Sequence, residues 1–410
     1  MRDTELYRHL LGLEPPWEVS RVELALKDGR VDVWAEHSSK VRLACPECGR
    51  ELAVYDHAAE REWRHLDSCQ FLTYLHARPP RVECPEHGVR QVMLPWAEAM
   101  SRFTTLFERL AIDVLSECDV LGAARLLRLS WDEAWHLMER AVARGLRRKP
   151  ARAIALLGVD EKSAGQGQDY ITIVSDLEGG TAEYIADERR QESLDGYFER
   201  LSPEQRAAIE AVALDMWDPY LRSIRAHLED ADHKIVFDRF HVMGHIGKAV
   251  DSVRKRENRA LRAGGDDTLV GSKYLWLYSK ENLPERQRER FAALRDADLK
   301  TGRAWAIKEN LRLLWSYHRR GWGERHWRSW YFWATHSRLA PVIEVARMLR
   351  RRLAGILSYF DHRITNAASE SLNSRIQAIR VAARGFPNRD HFKTAIYFHC
   401  GGLDLYPATH

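Results

Sequence analysis

The 410 residues exceed the usual single-domain size, so two to four domains are expected, and a hydrophobic content of 45 % supplies material for several cores. No run approaches the roughly 18–20 uninterrupted apolar residues of a membrane span, and the start, MRDTELYRHLLGLEPPWE, lacks the basic-then-apolar layout of a signal peptide. A membrane protein is excluded on this reading and a cytoplasmic one expected. The net charge of +4 hides an asymmetry of −2 over residues 1–150, −10 over 151–238 and +16 over 239–410, which points to a polyanionic partner for the C-terminal part.

Along the chain, residues 1–100 mix short alternating runs such as VELALKDGRVDVWAE and FLTYLHA with Pro and Gly, and read as small β elements around turns. From Phe103 the apolar spacing becomes helical: FTTLFERLAIDVLSE, VLGAARLLRL and WDEAWHLMERAVARGL, with Ser130 as the N-cap before Trp131. Three helices with a tight turn at Leu129-Ser130 predict a helix-turn-helix over 101–150, ending in the basic cluster Arg147, Arg148, Lys149. Residues 153–238 carry five strand-like runs, AIALLGVD, DYITIVSDL, TAEYIAD, AIEAVALD and KIVFD, with helical stretches around 191–208 and 217–229, an α/β pattern. Residues 241–360 hold almost no strand signal and contain seven of the 14 Trp between Trp276 and Trp333, so an all-helical insertion is expected. A further helix is expected to open near Asn366.

Six cysteines, unevenly placed, do not make a disulfide framework. Cys69, Cys118 and Cys400 read as packing residues. Cys45-Pro-Glu-Cys48-Gly and Cys84-Pro-Glu-His87-Gly instead repeat one knuckle, and two such turns can deliver the four soft or imidazole ligands of a tetrahedral zinc ion. The 35 residues between them exceed the common ribbon spacing of roughly 15–20, so at least a β-hairpin must intervene. His65 and Cys69 compete with His87 for the fourth position.

Asp160 ends the apolar run AIALLGV and Asp215 ends AVAL, so each is expected where a buried strand emerges at a sheet edge. Two carboxylates brought together there repel unless a divalent cation neutralises them. A third acid on a helix from elsewhere completes the ligand set for two ions, which promote in-line displacement at phosphorus.

These features together resemble the ISL-three family of bacterial insertion-sequence transposases. The likeness covers nearly the whole chain and rests on the CPEC and CPEH pairs with REWRHLD between them, FTTLFE, GVDEKS, YITIVSDLEGG, AIEAVALDMWDPY, IVFDRFH and ITNAASESLNSRIQAI. It implies a multidomain α/β chain: a zinc ribbon in 1–100, a helix-turn-helix in 101–150, and an RNase H-like DDE catalytic domain in 151–240 and 361–410, interrupted by an all-α insertion in 241–360. Carried onto this sequence, the resemblance makes Asp160, Asp215 and Glu370 the catalytic ligands of Mg²⁺ or Mn²⁺, beside the structural Zn²⁺. Asp238 and His241 match a D-x-x-H motif shared with the eukaryotic Mutator-like and related transposases, which the resemblance adds to the catalytic residues, His241 through a contact to DNA phosphate or the scissile strand rather than to metal. His87 stands where the family often has a second CxxC cysteine, and Ser371 where it usually has Gly.

The implied activity is binding of terminal inverted repeats, hydrolysis of a phosphodiester at each end, and attack of the freed 3′-OH on target DNA by a homodimer or larger assembly on the bacterial nucleoid. Bases are expected to be read by the zinc ribbon and the helix-turn-helix, with Arg147, Arg148 and Lys149, while Arg350, Arg351 and Arg352 in the basic part grip phosphates. The rival readings are a catalytically silent transposase-derived DNA-binding regulator and another RNase H-like nuclease such as a junction resolvase.

Overall fold

In the computed structural model, which describes residues 2–163, 169–278, 281–364 and 367–408, the N-terminal hundred residues fold as one short helix and eight strands. These are α1 (Asp3–Leu10), β1 (Trp17–Ala25), β2 (Arg30–His37), β3 (Arg42–Ala44), β4 (Glu51–His57), β5 (Arg61–Ser68), β6 (Phe71–Ala77), β7 (Pro80–Cys84) and β8 (Gly88–Gln91). They form two four-stranded sheets, ordered β1-β2-β6-β5 and β3-β4-β7-β8. Period-two alternation buries Val31, Val33 and Ala35 of β2. Against them Trp96 meets Trp17 and Trp63 edge-to-face at 4.6 and 5.7 Å.

Three helices follow, α2 (Thr105–Glu117), α3 (Val120–Leu127) and α4 (Trp131–Arg148). Each start is capped, the last as the sequence suggests: Thr104 accepts from the Phe107 N–H, Asp119 from the Gly122 N–H, and Ser130 forms a reciprocal capping box with Glu133. The turn between α3 and α4 is closed by Arg128 in the left-handed region at φ 55°. These helices and the β sheets belong to one compact unit, residues up to Pro150, which also takes in Ala382–Arg384 and the segment from Tyr397 onward. Residues 361–410 therefore do not stay together as one part of the catalytic domain. Arg144 donates to the Leu405 carbonyl and Lys149 to that of Gly401, while the Tyr406 hydroxyl donates to Asp113. Gly145 permits this approach, because a Cβ there would lie 2.6 Å from the Leu403 side chain.

The second unit comprises Ala151–Val381 and Gly385–Ile396. Its five-stranded sheet has the order β11-β10-β9-β12-β13, with β9 (Leu156–Ser163), β10 (Tyr170–Asp176), β11 (Thr181–Asp187), β12 (Ala211–Leu214) and β13 (Ile235–Phe237). The first three strands form an antiparallel meander, and β12 and β13 run parallel to β9, the RNase H-like arrangement. Between β11 and β12 come α5 (Gln191–Phe198) and α6 (Pro203–Ala207), and between β12 and β13 come α7 (Asp218–His227) and α8 (Ala231–Lys234).

The described part of 239–362 is helical: α9 (Arg239–Ala263), α10 (Lys273–Leu277), α11 (Arg288–Asp296), α12 (Lys300–Arg312), α13 (Arg320–Thr335), α14 (Ala340–Arg351), α15 (Leu353–Leu357) and α16 (Tyr359–His362). One apolar core runs from Val159 and Val212 of the sheet to Trp276, Trp327 and Trp330 of the insertion, so these helices share a core with the sheet. The chain closes with α17 (Ala367–Ala382) and α18 (Arg389–Cys400); Asn366, where a helix start was expected, lies outside the described residues.

Candidate active site and zinc centre

The two CPE turns converge. Each is followed by a glycine in the left-handed region, Gly49 at φ 72° and Gly88 at φ 68°, which explains why the knuckle repeats Gly at the same offset. The ligand atoms of Cys45, Cys48, Cys84 and His87 all lie within 4.8 Å of one another. Cys48 Sγ stands 3.7 Å from Cys84 Sγ, and His87 Nδ1 stands 3.8 and 3.5 Å from Cys45 and Cys84. A tetrahedron with ordinary zinc bond lengths has ligand–ligand edges of about 3.5–3.8 Å, so the donor set fits Zn²⁺ in both chemistry and size. The Glu86 backbone N–H, followed by His87, pulls the Cys84 thiol down to about 6, towards the thiolate that such an ion binds. The competitors fall away: His65 is buried on β5 with Nδ1 2.9 Å from the Thr104 hydroxyl, and Cys69 is exposed in the β5–β6 turn.

The acidic site begins with strand register. Leu214 pairs in parallel with Val159 on one side and with Phe237 on the other, so the next residues, Asp160, Asp215 and Asp238, lie abreast on three neighbouring strands. Alternation sends Val159, Leu214 and Phe237 into the large core. The residues one step away, Ala213 and Val236, face the small cluster on the other side of the sheet, and the aspartates share that face by the same period. One expectation needs correction. Asp160 does not end its strand, because β9 continues through Glu161, Lys162 and Ser163, paired with β10; only the pairing with β12 stops at Val159.

From 213 residues away, α17 supplies the other wall. Asn373 Nδ2 donates to Asp160 Oδ2 at 2.6 Å, and Arg380 donates to the Ser163 carbonyl. Glu370, one turn before Asn373, is exposed and lines the same cavity of about 870 Å³ as Asp160, Asp215, Asp238 and His241. His241 Nδ1 lies 3.6 Å from Asp215 Oδ1 and its Nε2 lies 3.9 Å from Asp238 Oδ2. Asp238 also caps α9, accepting from the Phe240 N–H.

Two cations absorb part of the negative charge. Lys162 Nζ lies 3.3 Å from Asp160, and Arg189 bridges Glu161 at 2.7 Å and Asp215 at 3.6 Å while covering the Trp217 ring. Burial, partly offset by Arg189, raises the Glu161 carboxyl above its ordinary value. The carboxylates of Asp160, Asp215 and Glu370 line one cavity without closing to 4.8 Å, which among the described residues the zinc ligands do. Three carboxylates on one cavity form an all-oxygen donor set of the kind that hard divalent cations take.

A family model described as a transposase, the DDE part of ISL3 proteins, matches residues 157–396, more than half of the chain. The chain belongs to the ISL3 transposase family. The zinc finger of the IS204, IS1001, IS1096 and IS1165 transposases matches residues 42–87, and the helix-turn-helix domain of ISL3 transposases matches 92–142. The transposase for insertion sequence element IS1001 of Bordetella parapertussis is 29 % identical over 397 residues, 96 % of this chain and 97 % of that protein. The transposase for IS1557 of Mycobacterium tuberculosis is 28 % identical over 415 residues, 94 % and 93 % of the two chains.

Within the transposase the six basic residues expected at DNA divide. Arg147 and Arg351 are exposed, and Arg350 is exposed beside the Tyr331 ring. Arg148 instead donates to Asp404 and the Tyr406 carbonyl, Lys149 to the Gly401 carbonyl, and Arg352 to Asp218 at 2.7 Å. Those three spend donors on the protein's own acceptors, a role that a basic run in sequence does not reveal. The first turns of α4 expose Trp131, Asp132 and His136 and carry no Arg or Lys before Arg140. Lys162 and Asn373 sit inside motifs quoted from the sequence, whereas Arg189 had no sequence signal.

Proposed function

We propose that the chain binds the terminal inverted repeats of an insertion sequence, hydrolyses a phosphodiester at each end and joins the freed 3′-OH to target DNA, with Asp160, Asp215 and Glu370 holding Mg²⁺ or Mn²⁺. The observation that carries this reading is the register of β9, β12 and β13, which sets Asp160 and Asp215 abreast on one face, opposite Glu370 of α17. When bound there, the ions supply Lewis-acid stabilisation to the attacking and leaving oxygens. Asn373 fixes one Asp160 oxygen, and the Met216 N–H fixes Asp215 Oδ1 at 2.6 Å, so both carboxylates are oriented before any ligand arrives. Lys162 and Arg189 reduce the repulsion between them. His241, within reach of Asp215 and Asp238, is placed to donate to a phosphate oxygen, while Asp238 serves chiefly as the cap of α9.

Zn²⁺ held by Cys45, Cys48, Cys84 and His87 ties the two knuckles together. Repeat recognition falls to the zinc ribbon and helix-turn-helix with Arg147, and phosphate grip to Arg350 and Arg351. Because two ends must be cut together, a homodimer or larger assembly acts on DNA in the bacterial cytoplasm.

The test is cleavage of a repeat-end duplex in Mg²⁺. Asp160→Asn, Asp215→Asn and Glu370→Gln are each expected to abolish cutting while retaining binding. Normal cutting by any one of them removes that residue from the site. A wild-type chain that binds the repeat and cuts nothing with Mg²⁺ or Mn²⁺ supports the silent-regulator reading instead.

A further inference from the structure

Beside the carboxylate cavity lies a second one of about 460 Å³, within the range of roughly 300–1,000 Å³ of ligand pockets. The two share Ala213, Asp238, Phe240 and Glu370 in their walls. The second cavity therefore opens beside the wall that carries Asp160 and Asp215.

Its lining suits a flat, partly polar group. Met243, Leu277 and Ile364 give apolar walls, and Asn282 and Arg312 give hydrogen-bonding ones. Arg312 is held by Glu281 and Glu309, yet its buried Nε–H meets no acceptor among the described residues. At the mouth, Phe240 is 70 % exposed, which leaves its ring accessible for stacking. The depth of the cavity has its own signature in α9. Gly247 sits inside a 25-residue helix, where glycine weakens the helix relative to alanine. No close packing demands it, since a Cβ there would meet only Leu277 Cδ2, at an ordinary 3.8 Å. The missing side chain leaves room.

We propose that this cavity receives a nucleobase of the DNA strand being cut, unstacked from its neighbours and resting on Phe240, with Asn282 and Arg312 facing its hydrogen-bonding edge. Aromatic stacking accepts any base, and hydrogen bonds to the edge add preference. The inference rests on the DNA-cutting reading given above. Extrusion of the base costs unpairing, a cost that is smallest for a base already unpaired.

The experiment walks 2-aminopurine across the cleavage junction of a repeat-end duplex bound by the full chain in Ca²⁺. One position is expected to brighten with wild type and to stay dark with Phe240→Ala or with Gly247→Leu, whose added side chain fills the cavity. Thermal unfolding of both variants is expected to match wild type. Unpairing that same position by a mismatch is expected to restore the slowed Mg²⁺ cutting of Phe240→Ala to within about threefold of wild type, the unstacking cost having been met in advance. The proposal is overturned if no position brightens while wild type binds and cuts the same duplex, or if both variants brighten it as wild type does. An equal cutting defect of Phe240→Ala on paired and mismatched DNA overturns it too. Failure of the cutting reading shows separately, as wild type that leaves every end duplex intact in Mg²⁺ and Mn²⁺; the fluorescence, read on uncut DNA, still decides whether a base is extruded.

Discussion

Replacing Arg144 by Met tests how the helix-turn-helix is tied to the C-terminal segment. Arg144 and Glu108 are each 2 % exposed in their side chains, and Arg144 donates to both Glu98 oxygens, to Glu108 at 2.6 Å and to the Leu405 carbonyl. Its removal leaves Glu108 buried with the Ser101 hydroxyl at 2.6 Å and Arg140 at 3.4 Å. That partial compensation places the loss near the low end of the range for a broken buried pair, about 3 kcal/mol, with about 1 kcal/mol more for the Leu405 carbonyl. A loss of about 4 kcal/mol corresponds to roughly a thousandfold faster amide exchange where α2, α4 and residues 401–408 open together. Hydrogen–deuterium exchange of the full chain reads this by peptide, with β9 and β10 as internal controls. Arg144→Met combined with Glu108→Leu is expected to recover most of the protection, since a buried pair is often replaceable by apolar side chains. Unchanged exchange in the single variant, or a double variant worse than the sum of its parts, refutes the reasoning.

Two further outcomes follow from the N-terminal unit. Wild type is expected to carry one chelator-resistant zinc per chain by elemental analysis, and Cys84→Ser to lose it together with protection of β7 and β8; a variant that keeps its zinc removes Cys84 from the centre. Burial, then Arg64, lowers His65 from its ordinary 6.5 to about 4. Because the folded state favours the neutral ring, this contribution is complete above pH 6.5, is lost as pH falls towards 4, and amounts to roughly 3 kcal/mol. Urea midpoints between pH 7 and 4 are expected to fall less steeply for His65→Gln than for wild type, and parallel curves would show that the ring does not drive the slope.

Local signals in the sequence read well where a residue's own neighbours decide its conformation. Ser130 and the spacing of Ala134, Leu137, Met138 and Ala141 specify α4 without help from the rest of the chain. The apolar runs before Asp160 and Asp215 mark two buried strands, and the parallel register then aligns the carboxylates. The extension of β9 through Glu161, Lys162 and Ser163 was not legible, because those residues carry no apolar alternation; their strand comes from pairing with β10. Nor could the basic run at 147–149 disclose that two of its cations face carbonyls more than 250 residues away. Arg189 had no signal for the same reason: its contact with Asp215 is made only by the fold. The family resemblance supplied Glu370, since an exposed acid on a helix has no pattern of its own.

The most direct test of the metal site is a change of metal preference at Asp215. A thiolate in place of the carboxylate binds hard Mg²⁺ poorly and softer ions better. Asp215→Cys is expected to bind repeat DNA as wild type does, to leave the end duplex uncut in Mg²⁺, and to regain cutting when Mn²⁺ or Cd²⁺ replaces it. If the variant cuts in Mg²⁺ as wild type does, or stays inactive in every ion while still binding DNA and metal normally, Asp215 is not the metal ligand on which this account depends.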